Sequence, residues 1–219
     1  MTPSTPRLAV VDYGAGNLRS IRRALEAAGA QVDVTADPAV IAGADAVVLP
    51  GVGAAGAAMD RLSGLGVTPV LHEAVESGTP FMGICLGLQL LYGPQEEGDT
   101  HGLGVLPGRV RSLSASVKVP HIGWNRSRTV RSGPLGEPGE ERDYYYVHSY
   151  IVEPDEPSSV VAETTYGETF PSVVVHDNVW GTQFHPEKSG DDGLALVAAF
   201  VRTVNRRASR SFQAVGVGS

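Results

Sequence analysis

Short apolar runs alternate with segments of helical periodicity in the first half of the chain. The short runs predict strands at residues 8–11, 31–34, 46–49 and 81–84. The segments between them place apolar residues three or four positions apart and predict helices at 18–28, 54–62 and 70–76. Because strands and helices that alternate at these lengths form βαβ units, we expect a parallel sheet with helices on both faces.

The second half of the chain has a different pattern, in which β-branched and aromatic runs are separated by turn residues. These runs lie at 144–152, 159–163, 172–175 and 179–184 and predict antiparallel or mixed strands attached to the parallel sheet. Residues 131–142 predict an exposed loop, and residues 193–204 predict a closing amphipathic helix. We therefore expect one α/β domain over residues 1–219, with a mixed, largely parallel central sheet flanked by helices and an antiparallel β extension. Loose tails are expected at residues 1–6 and 206–219.

Composition and charge narrow the classes of partner. The 219 residues are 42% hydrophobic, 19% charged and 6% aromatic, as in globular domains. A formal net charge of −7 without a basic stripe argues against nucleic acid. Cys85 is the single cysteine, so neither an internal disulfide nor a C-x-x-C zinc site is expected, which favours a reducing compartment. Without a signal region or an apolar run near ~20 residues, the sequence predicts a cytoplasmic protein with no membrane span.

This cysteine stands in a motif typical of a nucleophile elbow. The segment Gly83-Ile84-Cys85-Leu86-Gly87-Leu88-Gln89 has the form small-x-nucleophile-x-Gly, and it lies where a predicted strand leads into a helix. Unpaired N–H groups and the positive end of the helix dipole favour the thiolate, the reactive form of a cysteine. A lone cysteine in an apolar run is most often a small core residue, but the flanking glycines favour the catalytic interpretation.

A base for this thiol is predicted at the end of a later strand, in Gly181-Thr182-Gln183-Phe184-His185-Pro186-Glu187. Residues two apart in an extended chain point to the same side, so His185 and Glu187 suit the roles of base and orienting acid. The order Cys85, His185, Glu187 is one that a catalytic triad takes. The alternative for His185 is an ordinary turn histidine, and the alternative for Glu187 is a solvated carboxylate. His148 is the reserve candidate for the base.

The segment Gly51-Val52-Gly53-Ala54-Ala55-Gly56 supports two hypotheses. It matches the dinucleotide fingerprint G-x-G-x-x-G after a predicted strand. That fingerprint also needs an acidic residue about 20 positions on, at the end of the next strand, where this chain has Cys85 instead. We favour the second hypothesis, in which Gly51, Val52 and Gly53 expose backbone N–H groups that stabilise an oxyanion together with the amide of Leu86.

Taken together, the elbow at 83–89 and Phe184-His185-Pro186-Glu187 resemble the signature of class I glutamine amidotransferases. Five blocks, in order, resemble the glutaminase subunits of imidazole glycerol phosphate synthases, at 12–18, 49–53, 119–125, 145–150 and 185–190. The resemblance extends from residue 8 to about residue 205 and implies a flavodoxin-like fold. The chain departs from the family at Ala54-Ala55, where a bulkier aromatic residue is frequent, and at 209–219, which extends past the usual end.

The resemblance implies an enzyme that hydrolyses L-glutamine to L-glutamate and ammonia. The ammonia passes to a (β/α)8-barrel cyclase subunit, the partner in a heterodimer, which makes imidazole glycerol phosphate and an aminoimidazole carboxamide ribotide during histidine biosynthesis. By the same resemblance Cys85 is the nucleophile, His185 the proton shuttle and Glu187 its orienter, and neither a cofactor nor a metal is implied.

The resemblance also implies which residues contact the substrate and the partner. The substrate contacts are Gly51, Gly53, Gln89, His148, Ser149 and Tyr150. The partner contacts are Asn17, Trp124, Tyr146 and Lys188. From the residues alone, ordinary core packing remains open for Trp124, and a solvated surface charge remains open for Lys188.

Overall fold

The computed structural model describes residues 5–215, with side chains described through residue 207. The helices are α1 (Leu18–Ala27), α2 (Pro38–Ala42), α3 (Ala55–Gly64), α4 (Thr68–Glu76), α5 (Leu86–Gln89) and α6 (Gly190–Val215). The strands are β1 (Arg7–Val11), β2 (Gln31–Thr35), β3 (Ala46–Gly51), β4 (Phe81–Cys85), β5 (Pro94–Gln95), β6 (Thr100–His101), β7 (Gly108–Ser112), β8 (His121–Thr129), β9 (Glu141–His148), β10 (Tyr150–Pro154), β11 (Val160–Tyr166), β12 (Glu168–His176) and β13 (Val179–Thr182).

The central sheet has nine strands in the order β2-β1-β3-β4-β13-β12-β11-β8-β9. The first five strands pair in parallel, and the remaining pairs are antiparallel. The order 2-1-3-4 followed by one further parallel strand is that of flavodoxin-like sheets, in which ligands bind beyond the carboxyl ends of the strands. The α/β class and the antiparallel extension predicted from the sequence are therefore confirmed.

A smaller sheet of four strands, β10-β7-β5-β6, lies beside the central sheet. It is antiparallel except for the contact between β5 and β7. Since β10 begins only two residues after β9 ends, the chain passes from the edge of the large sheet into the small one at His148-Ser149-Tyr150. The predicted substrate segment therefore lies at the junction of the two sheets.

Alternate residues of the inner strands enter two separate apolar cores. In β3, Ala46 and Val48 face one cluster, whereas Val47 and Leu49 face the other. This follows from the two-residue period of a strand, and a sheet covered on both faces needs continuous apolar strands. On one face α1 and α6 supply side chains such as Leu25 and Phe200, and α3 and α4 cover the other face.

Several elements differ from the prediction. Strands β5, β6, β7 and β8 were not among the predicted runs, and the run predicted at 144–152 divides at Ser149 into β9 and β10. Helix α6 continues to Val215, where the sequence predicted a loose tail from residue 206, because no Gly or Pro interrupts residues 194–215. The short α2, capped by Asp37, was not predicted because its single buried residue, Ile41, gives no periodicity. Strand β1 begins at Arg7, so the predicted tail at 1–6 is described only at residues 5 and 6. Residues 1–4 and 216–219 of the predicted tails lie outside the described residues.

Candidate active site

Cys85 occupies a sharp turn between β4 and α5. Its backbone has φ 55° and ψ −112°, and α5 begins at the next residue. A side chain at positive φ clashes with the backbone, and holding a non-glycine residue there costs about 1–3 kcal/mol. The surrounding sheet and helix maintain this strained conformation, which places the thiol at the carboxyl edge of the parallel strands.

Glycines around the turn allow three backbone segments to approach each other closely. A Cβ atom at Gly87 would lie 1.8 Å from the carbonyl oxygen of Leu49, and one at Gly83 would lie 2.8 Å from the carbonyl oxygen of Gly87. A Cβ atom at Gly51 would lie 2.7 Å from the amide nitrogen of Gly87. The small residues of the motif are therefore required because β3, β4 and α5 leave no room for a side chain at these positions.

Strand β13 brings the predicted base to the same sheet edge. It pairs in parallel with β4, with Thr182 opposite Ile84, so the chain beyond β13 leaves the sheet beside Cys85. A short 3-10 turn at Pro186–Lys188 then places Nδ1 of His185 at 2.9 Å from Oε1 of Glu187. The side chains of His185 and Glu187 are 2% and 1% exposed, so this pair is shielded from water.

The charge state of His185 follows from its neighbours. Burial alone lowers the pKa of His185, but interactions with Cys85 and with Glu187 outweigh burial and raise the pKa to about 9. Its other ring nitrogen, Nε2, has no hydrogen-bond partner among residues 5–215. The sulfur of Cys85 donates instead to the carbonyl oxygen of Val147, at 3.7 Å. The imidazole is thus positively charged at neutral pH and holds an unshared N–H group beside the thiol.

The predicted oxyanion segment runs alongside the elbow. Gly51 pairs with Cys85 at the ends of β3 and β4 and is buried. Val52 and Gly53 are exposed, and Gly53 has φ 92°. The hydroxyl of Tyr13 donates to the carbonyl oxygen of Pro50 at 2.9 Å and anchors the start of this segment.

The dinucleotide hypothesis for the same segment does not fit the strand that follows. The fingerprint needs an acidic residue at the end of the next strand, and that strand, β4, ends at Cys85. Within residues 5–215, no group of three His, Cys, Asp or Glu side chains is placed to hold a metal ion.

Four of the predicted substrate residues, Gln89, His148, Ser149 and Tyr150, lie together around the junction of β9 and β10, whereas Gly51 and Gly53 belong to the segment at the end of β3. Gln89 is 4% exposed, and its Nε2 donates to the carbonyl oxygen of Tyr150 at 2.9 Å and to Oε1 of Gln183 at 3.2 Å. The backbone carbonyl of Ser149 accepts from the amide of Leu113. Gln183 was not singled out from the sequence, although it lies two residues before His185 in the motif that was.

His148, the reserve base, is unsuited to that role. Burial is the main reason that the pKa of His148 is lowered, to about 3, and its Nδ1 lies 2.9 Å from the carbonyl oxygen of Tyr150. Its Nε2 lies 3.0 Å from Nδ1 of His121, a second buried histidine, whose pKa is lowered to about 4 by burial. Both rings are therefore neutral at physiological pH, and they hold the backbone of the predicted substrate segment.

Three of the four predicted partner residues lie around the surface beside His185. The Trp124 side chain is 60% exposed, which excludes ordinary core packing, and its ring meets Tyr145 edge-on at 6.3 Å. Nζ of Lys188 lies 6.0 Å from the same Tyr145 ring. Asn17 is half-buried at the start of α1, which packs against the 3-10 turn that carries Lys188.

The prediction that Tyr146, the fourth residue, contacts the partner is wrong. Its side chain is 0% exposed and its hydroxyl lies 2.6 Å from those of Ser127 and Thr164, so it cannot face a partner. Trp124 is paired with Tyr145, not Tyr146, across β8 and β9. Because side chains alternate along a strand, the prediction was one residue out of register and chose the inward face.

Comparison with known proteins identifies the class to which this fold and site belong. The family described as glutamine amidotransferase class-I matches residues 9–204, almost the whole chain. Two solved structures share the fold. One, described as a glutamine amidotransferase, has a TM-score of 0.71, 20% identity, and coverage of 92% of this chain and 98% of that chain. The other is PurLQS from Thermotoga maritima, with a TM-score of 0.69, 21% identity, and coverage of 91% of this chain and 99% of that chain.

Curated relatives narrow the class further. An imidazole glycerol phosphate synthase subunit HisH from Halobacterium salinarum is 49% identical over 204 residues, which cover 89% of this chain and 92% of the relative. The HisH subunit from Synechococcus elongatus is 48% identical, covering 92% of this chain and 95% of the relative. The HisH subunit from Methanothermobacter thermautotrophicus is also 48% identical, covering 90% and 98%. The chain therefore belongs to the class-I glutamine amidotransferase family and, within it, to the HisH subunits of imidazole glycerol phosphate synthase.

Proposed function

We propose that this protein is the glutaminase subunit of an imidazole glycerol phosphate synthase, hydrolysing L-glutamine to L-glutamate and ammonia. One observation carries the assignment of the chemistry. The strained Cys85 turn and the buried, charged His185–Glu187 pair end on the same edge of the parallel sheet. A thiol, an imidazolium and an orienting carboxylate at one edge supply what acyl transfer from an amide requires.

The reaction divides into two steps with the same residues. The Cys85 thiolate attacks the carboxamide carbon of glutamine, a C–S bond forms, and the carbonyl electrons move onto oxygen. His185 delivers its Nε2 proton to the departing nitrogen as the C–N bond breaks, which releases ammonia and leaves a thioester. Neutral His185 then takes a proton from water as the water attacks the thioester carbon. The tetrahedral intermediate collapses with cleavage of the C–S bond, which frees the Cys85 thiolate and leaves glutamate.

Backbone amides supply the stabilisation of the tetrahedral oxyanion in this proposal. The donors are the N–H groups of the segment Gly51-Val52-Gly53 and the amide of Leu86 at the start of α5. One donor of this kind is worth about 10²–10³ in rate, so a segment that turns its N–H group away switches the reaction off. The exposure of Val52 and the positive φ of Gly53 support a segment that can change orientation.

We further propose that this segment is misoriented until the partner subunit binds its own ligand. Hydrolysis without an acceptor wastes glutamine, so coupling the two sites conserves it. Glutamate release is measured for the isolated chain, the complex, and the complex with cyclase ligand. Rising rates through this series support the coupling, and equal rates refute it.

The partner in this proposal is a (β/α)8-barrel cyclase subunit that docks beside His185. Trp124 and Lys188 flank Tyr145 there, and Asn17 lies at the start of the adjoining helix. Ammonia is thus released close to the predicted interface and passes to the cyclase, which forms imidazole glycerol phosphate and the carboxamide ribotide in histidine biosynthesis. A cytoplasmic location remains our prediction, consistent with a free thiol kept in a reducing compartment.

The test separates glutamine use from ammonia use. In the complex with the cyclase, Cys85→Ala should abolish glutamine-dependent synthesis and leave ammonia-dependent synthesis intact, because only the first needs the thiol. A complex that still uses glutamine after this substitution overturns the assignment of Cys85.

A further inference from the structure

A chain of hydrogen bonds runs from the sulfur of Cys85 into the second half of the molecule. Nε2 of Gln183 lies 3.9 Å from Cys85 Sγ, and Oε1 of Gln183 accepts from Nε2 of Gln89 at 3.2 Å. The same Nε2 of Gln89 donates to the carbonyl oxygen of Tyr150. Gln183 is 0% exposed, so its carboxamide has no water to replace these partners.

The donor and acceptor of each link follow from the carbonyl oxygen of Tyr150, where two branches of the chain meet. A carbonyl oxygen only accepts, so Nδ1 of His148 donates to Tyr150, and the Nε2 of this neutral ring is left as an acceptor. Nδ1 of His121 therefore donates to it, and Nε2 of His121 accepts from Nδ2 of Asn125 at 3.2 Å. Asn125 also donates to the carbonyl oxygen of Thr165.

This direction determines which end of Gln183 faces the sulfur. The carbonyl of Tyr150 requires the N–H group of Gln89, and the second hydrogen on that nitrogen requires an acceptor from Gln183. Oε1 of Gln183 is thereby committed to Gln89, and the amide N–H group points at Cys85. The opposite orientation of the carboxamide would set two donors against each other.

We propose that Gln183 is a further catalytic residue, which donates its side-chain N–H to the Cys85 thiolate. His121 is a positioning residue, because its hydrogen bond to His148 holds the ring that binds the Tyr150 carbonyl, to which Gln89 also donates. The thiol form of Cys85 donates to the carbonyl of Val147. The thiolate has no hydrogen to donate to that carbonyl oxygen, which can only accept, so the thiolate needs a hydrogen-bond donor in its place. Gln183 supplies this donor before glutamine arrives, in addition to the charge of His185. The catalytic role of Gln183 rests on the proposed function, glutamine hydrolysis. Its test measures only the reactivity of Cys85 and does not depend on that function.

The test uses alkylation by iodoacetamide, which attacks only the thiolate. Because the sequence has one cysteine, the rate reports Cys85 alone in the intact full-length chain. Gln183→Leu should slow alkylation at pH 7 by at least about tenfold, since a hydrogen bond to a charged group is lost. Gln183→Glu should slow it further, because a carboxylate repels the thiolate.

The charges near the thiol stay the same in Gln183→Leu, since Tyr13, His148, His185 and Glu187 are all retained. Gln95→Leu is the matched control. Gln95 is also buried, at 4% exposed, but its Nε2 donates to the backbone carbonyls of Gln89 and Tyr92 and does not touch Cys85. It should lower the melting temperature without changing the alkylation rate at any pH.

A second pair of variants tests whether His121 holds the Tyr150 carbonyl in place through His148. His121→Phe keeps a ring stacked between Tyr146 and Tyr166 but removes both nitrogens. It should slow alkylation at pH 7 by about two- to threefold, and His121→Asn, which restores a donor near the position of Nδ1, should recover the rate. This rescue is not expected of a residue that only fills space.

The outcomes separate this proposal from the proposed function. Equal alkylation rates in wild type, Gln183→Leu and Gln183→Glu overturn the role of Gln183, and equal slowing in Gln95→Leu does so as well, because it indicates general loosening. Failure of His121→Asn to restore the rate overturns the role of His121. Absence of glutamate release from wild-type complex refutes the glutaminase function instead and leaves the alkylation result unaffected.

Discussion

Replacing Gly87 by Ala tests whether the close approach of β3 and α5 is needed for the site. The added Cβ would lie 1.8 Å from the carbonyl oxygen of Leu49, about 1.6 Å short of ordinary van der Waals contact. The nearest atoms, the carbonyl oxygen and carbonyl carbon of Leu49, belong to the backbone, so β3 or α5 has to shift by that amount. Overpacking of this kind costs about 3 kcal/mol of unfolding free energy. For a chain of this length, that lowers Tm by about 6–12 °C.

The same shift should reduce activity beyond the loss of stability. The displaced elements carry Gly51 and Cys85, and a misplacement of about 1 Å at a reacting centre costs roughly 10²-fold in rate. Glutamate release by the complex with the cyclase subunit is measured at a temperature where urea titration shows Gly87→Ala to be fully folded. Alkylation of Cys85 provides a second measurement that needs no partner.

Gly64→Ala is the matched control, because nothing lies within 4 Å of a Cβ atom at this last residue of α3. It should raise the unfolding free energy by a few tenths to about 1 kcal/mol and leave activity unchanged. If Gly87→Ala matches wild type in both Tm and glutamate release, the claim that this contact positions the site is wrong.

Four other substitutions give separate checks. Trp124→Ala should weaken cyclase binding at least about tenfold by calorimetry, because its exposed ring supports no core. Tyr146→Phe should keep that affinity but lose about 1–3 kcal/mol in urea unfolding, because two buried hydroxyls lose a partner. Asp37→Ala should lose about 1 kcal/mol with the cap of α2. Glu187→Gln should lower the pKa of His185 from about 9 in an NMR titration. The raised pKa of His185 adds to the unfolding free energy of the wild type. This contribution is fully present below about pH 6.5 and is lost as the pH rises through about 9. It should be smaller in Glu187→Gln.

The first half of the fold could be predicted closely because its elements depend on local signals. The predicted strands at 46–49 and 81–84 became Ala46–Gly51 and Phe81–Cys85, since runs of consecutive apolar residues fit only a sheet covered on both faces. The helix predicted at 70–76 is observed at Thr68–Glu76. Apart from the missed α2, the errors in this half lie at element ends, where capping and tertiary packing decide the boundary.

The elbow was predictable because its backbone geometry requires small residues at fixed positions in the sequence. Glycine two residues before and two after Cys85 is required by the close packing around the turn, so the motif and the geometry state the same constraint. The pairing of His185 with Glu187 was likewise expected from their spacing in an extended segment. The single-residue error at Tyr146 shows where this reasoning stops, since a motif block does not say which of two adjacent tyrosines faces inward.

Gln183 and His121 could not be assigned from the sequence because their partners are far away in the chain. Gln183 lies 98 positions from Cys85, and His121 lies 27 positions from His148. Their contacts arise only from the order β4-β13 in the sheet and from the register of β8 with β9. Buried glutamines and histidines become informative only when the direction of each hydrogen bond can be traced.

The position of β13 between β4 and β12 has a consequence during protein synthesis. One side of β4 stays unpaired until residues 179–182 have emerged from the ribosome, and His185 follows only after them. Nascent chains that carry Cys85 alone therefore lack the means to consume cellular glutamine. Hydrolytic competence arrives only after β13 has inserted into the gap and has brought His185 to the edge that carries Cys85.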